Sequence, residues 1–295
     1  MPTPFWLQFH HPDVRDLAFA IASPLILSAW PAALLADVVA NDHADQVIWP
    51  DADVWMGYAQ AYHHRLLALD QQPEALVDHL ARLHTTRLGT RFEALIAFWL
   101  KDRIGHPFEL IGQNIQRQHG TRTIGELDLL VRNHDSGLVE HWELSIKFYL
   151  GEPPFAPADW RGLNLRDTLA RKLSHLYQHQ FAASEASGLA IEQRRAIVKG
   201  RLFWPISLQQ QPHLLWLTTE YLSGEWSDIA PLAEQSDIHW RRADRAEWFS
   251  PRELAWPSQP HYWYNGLYLG QQHSSARSHT RMLRLKAFLP PIPYH

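Results

Sequence analysis

Residues Ile124–Leu150 read IGELDLLVRNHDSGLVEHWELSIKFYL, and the fold of the chain turns on them. Ile124–Arg132 has the composition of a strand. Asn133–Gly137 (NHDSG) is a run of turn formers. Leu138–Leu150 then reads as a second strand, so the two form a hairpin. Strand side chains alternate between faces, so residues two apart share one. Glu126 and Asp128 therefore share a face of the first strand. Glu143, Ser145 and Lys147 share a face of the second. Leu127, Leu129, Leu144 and Ile146 point the other way, into apolar packing.

A turn centred between Asp135 and Ser136 sets Asp128 opposite Glu143 and Glu126 opposite Ser145. Opposed positions lie roughly 5 Å apart at Cβ, where two carboxylates repel unless a cation lies between them. Mg²⁺ suits such a place because it prefers carboxylate oxygens and keeps several waters. Lys147, further along the face, is placed to orient a water or to stabilise charge on a phosphate. The plainer alternative is a half-exposed strand face on which Lys147 neutralises carboxylates.

Working outward, Phe108–Gln116 (FELIGQNIQ) reads as a strand before the hairpin. A helix precedes it, opening at Thr90-Arg91-Phe92-Glu93 with Phe92, Leu95, Ile96 and Trp99 at helical spacing. Gly105-His106-Pro107 ends it. Thr90 and Glu93 also have capping-box spacing, which gives Glu93 two competing roles. Earlier helices are expected at Asp13–Ser23, Val54–Leu69 and Pro73–His84. After the hairpin a helix is expected over Leu165–Ala183, then strands at Ala196–Trp204 and His213–Tyr221. From Ser223 the chain is Trp-rich, with Trp226, Trp240, Trp248, Trp256 and Trp263, and no element is assigned there. This order predicts an α/β (α+β) fold.

Glu93 early in a helix, then GELDLLV (Gly125–Val131), then WELSIK (Trp142–Lys147), then a helix, resembles the PD-(D/E)XK nuclease superfamily. More closely, GELD, ELSIKFYLG (Glu143–Gly151) and NLRDTLARKL (Asn164–Leu173) with His179-Gln180 resemble DUF1853, a bacterial family of unknown function grouped with that superfamily. The resemblance implies a restriction-endonuclease-like αβββαβ core over residues 88–222. An N-terminal helical region over 1–87 and a C-terminal extension over 223–295 would flank it. It further implies a nuclease that hydrolyses phosphodiester bonds of DNA or RNA with Mg²⁺ or Mn²⁺. Asp128 matches a metal ligand, Lys147 the catalytic lysine, and Glu93 a first-helix acid that supports the metal.

One position departs from that pattern. The superfamily has an acid two residues before the lysine, and this chain has Ser145. Glu143 lies four residues before Lys147, about 13 Å along a strand. Either a bulge draws Glu143 inward, or Glu126 is the second ligand, or the site is inactive and the chain is a nucleic-acid-binding or scaffold protein. Arg166, Arg171 and Lys172, on the following helix, are candidates to hold a nucleic-acid backbone. Asn164, Asp167 and Gln180 also match the closer family, without assigned roles. His175 and His179 are four apart but lack a third ligand nearby, so they read as surface histidines.

Composition narrows the chemistry. The 295 residues are 46% apolar and 20% charged, with 14 Trp and no Cys. Without cysteine there is no disulfide, thiol nucleophile or Cys-based metal site, which agrees with a cytoplasmic protein. The net charge of −4 conceals strong local bias. Residues 1–160 carry a net −9 and residues 161–201 a net +5, so a basic face follows the lysine strand. Asp37, Asp42 and Asp45 follow an uncharged run, Leu17–Ala36. That run is divided by Pro24 and Pro31 and preceded by Asp13 and Asp16, so no membrane span is expected.

Overall fold

The computed structural model describes residues 3–36, 47–119, 122–229, 238–252, 263–272 and 278–285. Asp37, Asp42, Asp45 and Trp256 lie outside them. The chain forms a mixed α+β fold with one large mixed sheet and, among the described residues, seven α-helices. None of these helices is long and apolar enough to cross a membrane.

Helix α1 (Pro12–Ala22) begins on a proline, and the His11 ring accepts the Asp13 N–H at 3.3 Å. Its residues from Val14 to Ala22 are buried throughout. A short helix α2 (Ala32–Ala36) and strand β1 (Val47–Ile48) follow. The segment expected as one helix over Val54–Leu69 is two, α3 (Ala52–Ala61) and α4 (His63–Gln71). They meet at Tyr62, which is fully buried with its hydroxyl on the Asp102 carboxylate. Helix α5 (Glu74–Ala81) leads to α6 (Leu88–Asp102). Arg91 of α6 grips α1 by pairing with Asp13 at 2.6 Å and Asp16 at 2.7 Å.

Strands β2 (Phe108–His119), β3 (Arg122–Asn133) and β4 (Val139–Gly151) form an antiparallel meander. The hairpin has the expected register, with pairs from Arg132↔Val139 to Leu129↔Trp142. Beyond β5 (Trp160–Arg161) comes helix α7 (Leu169–His175), which continues as a π-turn over Leu176–Gln180. The ribbon β6 (Glu185–Ala186) and β7 (Leu189–Ala190) precedes β8 (Gln193–Pro205), which lies parallel to β4. Strands β9 (Ser223–Ser227), β10 (Ile238–Arg242), β11 (Gly266–Gln272) and β12 (Ser278–Leu283) complete the set. The sheet order is β10-β11-β12-β9-β8-β4-β3-β2, so the Trp-rich tail extends the same sheet past β8.

Both faces of β4 and β8 are covered, and only Lys147 of β4 is less than buried. On one face Trp142, Leu144, Ile146 and Phe148 pack with α1 and α6. On the other, Tyr149, Ala196, Val198 and Leu202 pack with Leu169, Leu173 and Leu176 of α7. The result is a helix–sheet–helix sandwich whose central strands carry few exposed groups.

Two expectations change. His213–Tyr221 is not a strand. It makes one isolated bridge, Leu27↔Leu217, with the Ser28 and Thr218 N–H groups bonded across the same crossing. Its partner is a short crossing segment, so no ladder grows. The helix expected from Leu165 starts at Leu169, because the Thr168 hydroxyl caps it by accepting the Arg171 N–H at 3.2 Å. The residues before it turn instead, with Asn164 accepting the Arg166 N–H at 3.1 Å.

Candidate active site

Three elements bring carboxylates together. Asp128 comes from β3, Glu143 from β4 and Glu93 from the second turn of α6. Helix α6 begins at Leu88, so Thr90 is already inside it, and no side-chain cap forms at its N-terminus. The capping-box role of Glu93 is therefore not realised, and its carboxylate turns towards the strands. The β3–β4 ladder ends at Leu129↔Trp142. Beyond it the Asp128 carboxylate accepts the Leu144 N–H at 2.8 Å, taking the place of a backbone partner. The strands thus part at the acids.

Glu143 is buried and doubly held. His141 lies 2.8 Å from its Oε1, and the Gln180 side-chain amide donates to Oε2. Burial drives His141 down to about 3, so the imidazole is neutral. Its Nε2 then donates to Glu143, and its buried Nδ1 has no hydrogen-bond partner among the described residues. Gln180 also accepts from Lys172 Nζ at 3.1 Å. One amide therefore links the acid to the lysine, and the π-turn is what presents it.

Burial pushes all three acids up to about 7. For Glu93 the neighbouring Asp128 and Glu126 add to burial, and for Asp128 the Glu143 charge does. Lys172 opposes the rise at each of the three. Lys172 is itself lowered, by burial first, against the pull of Glu143, Asp128 and Glu93. An acid raised in the folded state lends stability that is complete below its unfolded value. That stability is lost as pH rises through the folded value. Stability is therefore expected to fall between about pH 4 and pH 7. Asp128→Asn keeps an acceptor for Leu144 but removes one titration, so the fall should be shallower in urea midpoints across that range. Identical slopes in the two proteins would show that the Asp128 carboxyl is not raised by folding.

The other expected residues are placed as follows. Glu126 is exposed and neighbours Glu93. Ser145 is buried on the Glu143 face. From Glu140 to Leu150, β4 advances residue for residue against β8, so no bulge draws Glu143 towards Lys147. Lys147 instead binds both oxygens of Asp167, at 3.1 and 2.9 Å, and the Tyr149 hydroxyl donates to the same carboxylate at 3.0 Å. Arg166 and Arg171 are exposed. With Lys147, Lys172 and Asp167 they line a cavity of about 340 Å³. His175 lines it too, its Nδ1 3.2 Å from Gln180 Oε1.

The donor chemistry, hard oxygens on mutually repelling acids, suits a divalent cation. Glu93 and the Asp128 oxygen not bonded to Leu144 retain acceptor capacity, whereas both Glu143 oxygens already accept. Among the described residues no group of three or more His, Asp or Glu side chains is spaced to hold a metal as it stands.

Motif reading left Asp167 and Gln180 without roles and did not single out His141. Asp167 and Gln180 reach their partners only through tertiary contacts, the latter from the π-turn, whereas His141 lies two residues before Glu143 on one strand face, a pairing that strand alternation signals.

The family model described as Domain of unknown function (DUF1853) matches residues 15–286. No curated protein and no solved structure matches the chain.

Proposed function

The chain belongs to the DUF1853 family, and from that premise we propose that it hydrolyses phosphodiester bonds of DNA or RNA, as a Mg²⁺- or Mn²⁺-dependent nuclease. The observation that carries the reading is the mutual influence of Glu93, Asp128 and Glu143 beside Lys172, a lysine that also lines a cation-rich cavity. The succession α6, β2, β3, β4, α7, β8 supports a restriction-endonuclease-like core. Asp128 and Glu93 would hold the metal, with Glu143 completing the set or orienting it. The bound cation would supply an activated water and polarise the phosphate. Lys172, held against the acids by Gln180, is the side chain best placed to stabilise charge on the scissile phosphate. Lys147 acts at the cavity wall, where Asp167 keeps it.

A second reading is an inactive nucleic-acid-binding or scaffold protein. The saturation of Glu143 by two donors and the capture of Lys147 by Asp167 favour it. Cleavage of labelled DNA and RNA with Mg²⁺, Mn²⁺ or EDTA separates the two. The nuclease reading expects cutting only with metal, and a loss of at least about 100-fold in Asp128→Ala, the order that removing one transition-state contact costs. Metal-independent binding with no cutting would leave the second reading standing.

A further inference from the structure

The cations beside the acid cluster form a pocket rather than a track. Lys147 reaches it from β4, Arg166 from the turn before α7, and Arg171 and Lys172 from α7 itself. A surface that follows a nucleic-acid backbone spaces its cations along successive singly charged diesters. Here four of them line one cavity of about 340 Å³, with Asp167 as the acid on its wall. That excess suits a phosphomonoester, which carries nearly two negative charges at neutral pH and three acceptor oxygens. The two arginines offer planar donor forks that match phosphate oxygens. Arg166 uses its backbone N–H to hold the turn, and its guanidinium makes no hydrogen bond or ion pair among the described residues. Asp167 meanwhile occupies Lys147 with both carboxylate oxygens.

We propose that this pocket binds the terminal phosphate of a nucleic-acid strand, so that the protein works from strand ends. The proposal rests on the nuclease reading for what lies next to the pocket. Lys172 belongs to both places, so a terminal phosphate in the pocket sets the adjoining diesters beside Glu93, Asp128 and Glu143. Asp167 stands where a phosphate oxygen would sit on Lys147 and holds that lysine until a strand end displaces it.

The test is binding in EDTA, where no metal-dependent cleavage occurs. Fluorescence anisotropy compares one labelled oligonucleotide carrying a 5′-phosphate, a 3′-phosphate or only hydroxyl ends. Nucleoside monophosphate and inorganic phosphate serve as competitors. One phosphorylated end is expected to bind at least about tenfold tighter than the hydroxyl form, as charge-assisted contacts allow. Arg166→Ala and Arg171→Ala, both at exposed positions, should erase that difference with unchanged circular dichroism. Asp167→Asn should widen it by freeing Lys147. Equal affinity for phosphorylated and hydroxyl ends would overturn the proposal. So would a mononucleotide that binds as tightly as the oligonucleotide, since the ligand would then be a small molecule. In Mg²⁺, cutting of a closed circular strand would sink end-direction and leave the nuclease reading intact. End-selective binding without any cutting would do the reverse.

Discussion

Gly200→Ala is expected to destabilise the protein by roughly 4 kcal/mol or more, near the top of the range for single substitutions. Gly200 lies in the middle of β8, paired with Lys147 of β4. Its φ of +127° is one that L side chains rarely adopt. A Cβ there would stand 1.8 Å from the Lys147 carbonyl oxygen, which is backbone and cannot swing aside. Relief requires the two central strands to separate where Lys147 leaves the sheet. The cost therefore combines backbone strain with a damaged ladder. Urea midpoints measure it, with Gly57→Ala as control. Gly57 is a helical position with nothing within 4 Å of an added Cβ. Alanine there should be neutral or stabilise by about 0.5–1 kcal/mol. If the two variants were equally stable, the close approach of β8 to Lys147 would be wrong.

Glu140→Ala is expected to cost about 3–5 kcal/mol, the range for breaking a buried ion pair from one side. Glu140 is fully buried and receives Arg195 through two bonds, at 2.8 and 2.9 Å. It also accepts from the Trp142 indole at 2.6 Å and the Asn133 amide at 2.8 Å. Removing it strands three donors at once, and the Arg195 guanidinium is left among the Trp142 and Phe108 rings. Glu225→Ala provides the contrast. Glu225 pairs with Arg281 at 3.0 Å but is 52% exposed, so its loss should stay below about 1 kcal/mol. Comparable losses in the two variants would show that burial does not set the value of the Glu140 pair.

These two positions illustrate what could be read from residues alone. Neither Gly200 nor Glu140 stands out in the sequence. One is a glycine in an apolar run, the other an acid among alternating residues. The helix from Thr90, the three strands after it and the strand containing Ala196–Trp204 were legible, because each has an apolar pattern of its own and turn formers at its ends. The hairpin register was legible as far as Leu129↔Trp142, since a short turn fixes the pairing beside it, but the expected opposition of Asp128 and Glu143 lies beyond the end of that ladder. The strand expected at His213–Tyr221 failed because β-pattern does not ensure a partner. The strands from Ser223 onward carry no sequence assignment because they are short, five to seven residues each, and their few apolar residues show no clear period.

The order of the central elements and the register of the hairpin were thus legible from the residues alone, and the absence of cysteine limits any metal donors to oxygen or histidine. These rest on local periodicity, turn chemistry and composition. Tertiary structure decided which cation meets which acid. Lys147, matched to a catalytic role by its strand position, is drawn to Asp167, twenty residues on. Lys172, read as a backbone-binding residue, is half-buried and drawn to the acids through a glutamine that a π-turn presents. Strand alternation tells which face a side chain leaves from. Where a long, flexible lysine ends depends on the carboxylates that other elements pack beside it, and those are set only when helix and sheet come together.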